Sequence, residues 1–117
     1  MAERGHGCIV NLSSMAGQIG LAGGAAYGAT KAALAALTRS WAAEFSPSGV
    51  RVNTVAAGPV YTGGASADRT TALGATTLVA RAAQAEEIAG VIAFLVSPAA
   101  GYITGALIPA DGGRTAI

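Results

Sequence analysis

Two side chains stand out for the chemistry their spacing allows. In the segment SSMAGQIGLAGGAAYGATK (residues 13 to 31), Tyr27 precedes Lys31 by four positions, and no other charge falls in the segment. On a helix such a pair shares one face. A free tyrosine titrates near ~10, too high for proton transfer at neutral pH. A neighbouring ammonium favours the phenolate, lowers that value and makes the phenol a plausible general acid/base. Ser14 adds a hydroxyl just past a short apolar run, at the edge where parallel α/β sheets bind ligands. Spacing alone is a weak signal, because a surface tyrosine beside a surface lysine arises by chance in many helices. The surroundings must decide.

The elements that would position these groups are legible. Residues 8–13 (CIVNLS) form an apolar, partly β-branched run bounded by turn residues, the pattern of a buried strand. A glycine-rich connection leads to residues 25–45, rich in Ala and Leu, which predict a long helix ended by Ser46-Pro47-Ser48-Gly49. VRVNTV (50–55) predicts a second strand, and residues 56–64 a turn-rich loop. Residues 65–84 are Ala/Thr-rich and weakly patterned, with a mobile loop and a short helix expected. Ile88, Val91, Ile92 and Leu95 have helical spacing, and Glu86 and Glu87 suit the positive end of a helix over 86–96. Residues 106–110 predict a third strand, closed by the turn Asp111-Gly112-Gly113. Strands alternating with helices, and carrying few charges, point to an α/β fold with a parallel sheet covered on both faces. Right-handed crossovers then set the three strands side by side in chain order, with an apolar open edge at 8–13.

Composition narrows the function. The 117 residues allow one domain, 1–117, with 52% hydrophobic and only 11% charged residues, against about 25% charged in an average soluble domain. So little charge implies surface buried against partners or membership of a larger body. A net charge of +1 without a basic block argues against nucleic acid. The single cysteine, Cys8, excludes an internal disulfide and a cysteine-based metal cluster, which fits a reducing, cytoplasmic setting; beside Ile9 and Val10 it reads as an inert buried thiol. His6, between two glycines with no second ligand nearby, reads as a loop residue, so no metal site is expected. Residues 88–110 lack charge and are long enough to span a membrane. Ser97-Pro98, Gly101, Gly105 and Pro109 break that stretch into helix, loop and strand, so no membrane span is expected.

Taken together, GCIVNLSSMAG, AAYGATKAALAALTRSWAAEF, GVRVNTVAAGPVYT and AEEIAGVIAFLVSPAAGYITGALIPADGG closely resemble the short-chain dehydrogenase/reductase family over nearly the whole chain. The resemblance implies a partial Rossmann-like three-layer fold and an NAD(P)-dependent oxidoreductase moving hydride between the nicotinamide and a small carbonyl or alcohol. In that frame Ser14 orients the substrate, Tyr27 exchanges the proton, and Lys31 tunes Tyr27 and contacts the nicotinamide ribose. Gly58, Val60 and Thr62 would line the nicotinamide end of NAD or NADP, while Asn53 and Asp111 match structural positions. The long helix and last strand resemble the surfaces with which this family forms homo-oligomers. Ala57 and Ala85 replace prolines of the family pattern, a mild change in loop stiffness. The larger departure is that the glycine-rich dinucleotide fingerprint is absent; Gly17, Gly20, Gly23 and Gly24 have the wrong spacing to replace it. The expectation is therefore a C-terminal half of such an enzyme, binding cofactor weakly or not at all by itself. The competing reading is an inactive fragment or oligomerisation module.

Overall fold

The computed structural model describes residues 1–117. The apolar runs become three parallel strands: β1 (Gly7–Ser14), β2 (Val50–Ala57) and β5 (Leu107–Ala110), in the order β1-β2-β5. Between them lie helix α1 (Ala25–Phe45), a two-residue strand β3 (Val60–Tyr61), helix α2 (Ala67–Gly74), a second short strand β4 (Ala83–Gln84) and helix α3 (Ala85–Val96). In register, Gly7 faces Val50 and Ser14 faces Ala57 across β1 and β2, while Ala57 faces Ala110 across β2 and β5. The strand ends that follow the three runs therefore meet at one edge of the sheet.

Strand alternation sorts the side chains into two layers. Ile9 packs with Val50 and Val52 against Ala42, Trp41 and Phe45 of α1. Val10 lies with Val55 against Ile88 and Leu95 of α3. Val50, Val52, Val55 and Leu95 are fully buried, and burying each such side chain stabilises the fold by roughly 1.5–3 kcal/mol. Polar groups on the α1 side are paired rather than stranded. Asn11 donates its amide to the Thr38 hydroxyl at 2.9 Å, and Thr38 in turn shares a short hydrogen bond with Thr54. On the other side the buried Asn53 donates to the Ile103 carbonyl at 2.8 Å and accepts from the Ala106 amide at 3.1 Å. It thereby ties the approach to β5 into the middle of β2.

Two elements differ from the sequence expectation. β2 runs on to Ala57 because partners continue on both sides, and the loop after it is partly ordered into β3, which pairs with β4. Within residues 65–84, α2 starts at Ser66, whose hydroxyl accepts from the Arg69 amide at 3.3 Å. Helix α3 begins with a reciprocal cap: the Gln84 side chain accepts from the backbone of Glu87, and the Glu87 carboxylate accepts from the Gln84 amide at 2.9 Å. No helix is long and apolar enough to cross a membrane.

The sheet is open on one side. β1 pairs only with β2, and Leu12 remains 49% exposed. The radius of gyration is 15.0 Å, against about 13 Å for a compact domain of this length. Replacing Asn53 by Ala leaves the Ala106 amide without a partner and the Ile103 carbonyl with only the longer bond from Arg51 at 3.3 Å. Urea unfolding should show a loss of about 2–4 kcal/mol; an unchanged midpoint would remove Asn53 as the tie between β2 and β5.

Candidate active site

Neighbouring residues on a strand point to opposite faces, so the two serines that end β1 part company. Ser13 is buried beneath α1, and its hydroxyl donates to the Lys31 carbonyl at 2.8 Å. Ser14 closes the strand and caps a single 3-10 turn (Met15–Gly17), its hydroxyl accepting from the Ala16 amide at 3.2 Å. That turn lies directly on α1. A Cβ on Gly28 would stand 2.7 Å from the Ala16 carbonyl oxygen, and one on Gly17 would stand 2.8 Å from the Ala32 amide. Only glycine permits so close an approach of the two backbones.

Helix α1 enters through Gly24, whose carbonyl accepts from the Gly28 amide at 2.7 Å. Tyr27 therefore sits in the first turn. It is 54% exposed, and its hydroxyl makes no hydrogen bond within the chain. One turn on, the Lys31 ammonium lies 5.6 Å from the centre of the Tyr27 ring and donates to the Leu12 carbonyl at 3.1 Å. This places a cation against the ring face at cation–π range and uses one of the three ammonium donors. The expected helical pairing of Tyr27 and Lys31 is present. Both stand at the sheet edge where Ser14 ends β1, and no direct hydrogen bond joins Ser14 to either.

The other proposed cofactor residues lie along the same edge. Gly58 follows β2, and its amide donates to the Ala110 carbonyl at 3.0 Å. A Cβ there would come within 2.6 Å of the Asp111 Cα, so glycine is needed for packing whatever else it does. Val60, in β3, packs in part against the Val55, Ile88, Leu95 and Ala100 cluster. Thr62 is exposed at the mouth of the turn at Gly63. Asp111 is bonded within the fold: it accepts from the Gly113 amide at 2.9 Å and from the Thr115 amide and hydroxyl at 2.9 and 2.6 Å. Partial burial works against its ionisation, but these bonds prevail and hold its carboxyl below the usual range.

Sequence reasoning did not single out the ion pair beside this edge. The Arg81 guanidinium donates to both Glu87 oxygens at 2.7 and 2.8 Å and to the Ala82 carbonyl at 3.1 Å. Arg81 lies in the weakly patterned segment, and only folding sets it against the α3 cap. Arg81 first, with the Gln84 amide beside it, holds the Glu87 carboxyl down at about 2. Pro59, Val79, Ala83, Ile88 and the Asp111–Gly113 turn join this pair around an open cavity of about 260 Å³.

Comparisons with known proteins show the family and the fold. The family described as Enoyl-(Acyl carrier protein) reductase matches residues 1–115. The chain belongs to the short-chain dehydrogenase/reductase family. It is 44% identical over 120 residues to cis-4-hydroxycyclohexanecarboxylate dehydrogenase of Sinomonas cyclohexanicum, covering 100% of this chain and 48% of that protein. A solved short chain dehydrogenase/reductase family protein superposes on all of it with a TM-score of 0.90 and 46% identity, over 49% of its own chain. A metagenomic blue fluorescent protein solved in complex with NADPH superposes with a TM-score of 0.87 at 35% identity, over 92% of this chain and 44% of its own. The chain thus spans about half the length of the curated relatives it matches.

The Glu87 carboxyl should titrate at about 2 when followed by carbon NMR. Because its folded value is depressed, the latch is complete above the ordinary carboxylate range and is lost only as pH falls toward that value. Arg81→Ala should move the midpoint back up toward the ordinary range; a midpoint that stays put would assign the shift to the Gln84 amide alone.

Proposed function

We propose that this chain carries the proton-transfer half of an NAD(P)-dependent oxidoreductase acting on a small carbonyl or alcohol. The observation that carries the reading is the Tyr27–Lys31 pair: an exposed phenol, free of other partners, beside an ammonium anchored to the end of β1. In this reading Tyr27 donates its proton to the nascent alkoxide on reduction and takes it back on oxidation. Lys31 holds positive charge against the ring and offers its remaining donors to the ribose hydroxyls of the nicotinamide nucleotide. Ser14 bonds the substrate oxygen opposite Tyr27. Gly58, Val60 and Thr62 border the nicotinamide end. When bound, NAD or NADP supplies or accepts the hydride.

The donor set suits only part of that cofactor. The Tyr27 hydroxyl and the Lys31 ammonium are the kinds of group that suit a nicotinamide ribose. The glycines at 17, 20, 23 and 24 do not form a phosphate cradle: Gly17 is packed on α1, and although α1 follows Gly24 directly, the glycines lack the G-x-G-x-x-G spacing. Residues 1–117 therefore correspond, in this reading, to the C-terminal half of the family fold as one domain, with the pyrophosphate and adenosine sites supplied elsewhere. The half-length match to relatives supports reading the chain as one half of the family fold. A second reading, an assembly module without catalysis, draws on the unpaired β1 edge and on Leu12 and Leu37, which are 49% and 40% exposed. A clean monomer in light scattering would count heavily against that reading.

The direct test is nicotinamide-dependent turnover of a panel of carbonyls and alcohols, by the chain alone and by the chain joined to the N-terminal half of a relative. Tyr27→Phe should cut turnover by about 10²–10⁴-fold; Tyr27 also counts among the cofactor-binding residues in this reading, with Lys31, Gly58, Val60 and Thr62. Turnover that survives this substitution would remove Tyr27 as the acid/base. The chain alone should bind NADH and NADPH more weakly than micromolar; micromolar binding would disprove the missing phosphate site.

A further inference from the structure

Lys31 is held to β1 twice, by contacts that bracket its whole length. Its ammonium donates to the Leu12 carbonyl at 3.1 Å, and its own backbone carbonyl accepts from the Ser13 hydroxyl at 2.8 Å. The Ser13 contact is unusual in kind. A carbonyl in the interior of an α-helix already accepts from the amide four residues on, so the hydroxyl adds a second bond to a group that is already satisfied. Ser13 itself is only 4% exposed, and this is the single bond its side chain makes. A buried hydroxyl placed on one particular helical carbonyl resists sliding of that helix along the strand.

The neighbouring packing would let such a slide matter. Gly17 meets the backbone of Lys31 and Ala32, and Gly28 meets the Ala16 carbonyl. Neither contact has a side chain that keys the helix in position along its axis. Farther along, Asn11 and Thr54 reach Thr38, which sets the register two turns away. Near the site, Ser13 is the only side chain of the strand that grips α1. We propose that Ser13 is a positioning residue: its hydroxyl fixes the Lys31 turn of α1 on β1 and so sets the placement of Tyr27 and Lys31 relative to Ser14. The inference rests on the proposed function for its catalytic consequence and on geometry alone for the clamp. Ser13 acts through Lys31 and touches no reacting atom. The two adjacent serines thus divide the work, one facing α1 and the other ending the strand.

The test compares wild type, Ser13→Ala and Ser13→Thr, in whichever form of the chain turns over. Ser13→Ala should lower kcat by about 10- to 100-fold, as expected for a sub-ångström to 1 Å displacement of catalytic groups. KM for the carbonyl substrate should stay within about threefold, because no substrate contact is lost. Ser13→Thr keeps the hydroxyl on a strand-compatible side chain and should return most of kcat. Amide hydrogen exchange over residues 28–35 should quicken by about 3- to 10-fold in Ser13→Ala, with residues 38–45 unchanged, reflecting the loss of one buried hydrogen bond. A kcat within twofold of wild type overturns the proposal whatever the exchange shows, and so does unchanged exchange over residues 28–35. If no form turns over substrate, the proposed function fails by itself, and exchange alone then decides whether Ser13 clamps the helix.

Discussion

The whole arrangement depends on the burial of β2. Five consecutive residues, Val52 to Ala56, are inaccessible to solvent, with a helix on each face of the sheet and a strand on each side. A backbone buried so completely has no water to bond, so its amides and carbonyls must find partners in β1 and β5. That requirement aligns Ser14, Ala57 and Ala110 across the sheet and gathers the following turns at one edge. Charge plays little part in this. The fold has one ion pair, Arg81–Glu87, and it lies on the surface.

Around that strand, polar side chains are used where apolar packing cannot specify an axial position. In α1 the contacts that resist sliding are hydroxyl and amide bonds, from Asn11 and Thr54 to Thr38 and from Ser13 to Lys31. The glycines at 17 and 28 serve the opposite end, bringing backbone onto backbone so that such short polar side chains can reach. The chemistry of the site is then a consequence of where one helical turn comes to rest.

β1 forms an open edge of the sheet. An eight-residue strand without charge, paired on one side only, is a poor surface to present to water. Ser14 ends that strand, and Lys31 of α1 reaches its Leu12 carbonyl.

Much of this was legible in the order of residues. Periodicity and breakers located β1, α1, β2, α3 and β5 to within two residues, because each is a run long enough for its local preference to prevail. The Y-x-x-x-K spacing also carries its own geometry, since a helix places residues four apart on one face. In residues 65–84 the pattern allowed a short helix without locating it, and it missed the pairing of β4 with β3 at 60–61; these form through a distant partner and the end cap at Ser66. It singled out Ser14 but was silent on Ser13. Ser13 and Ser14 are the same residue type side by side, and only the pleat of β1 against α1 turns one inward to the Lys31 carbonyl and leaves the other at the strand's end. Arg81 and Glu87 form a pair for a similar reason: six residues apart in the chain, they meet because the α3 cap turns the backbone between them. The sequence by itself determined the elements and the types of reactive group. Tertiary packing decided which of those groups face one another, because facing is a property of two elements and no single segment encodes it.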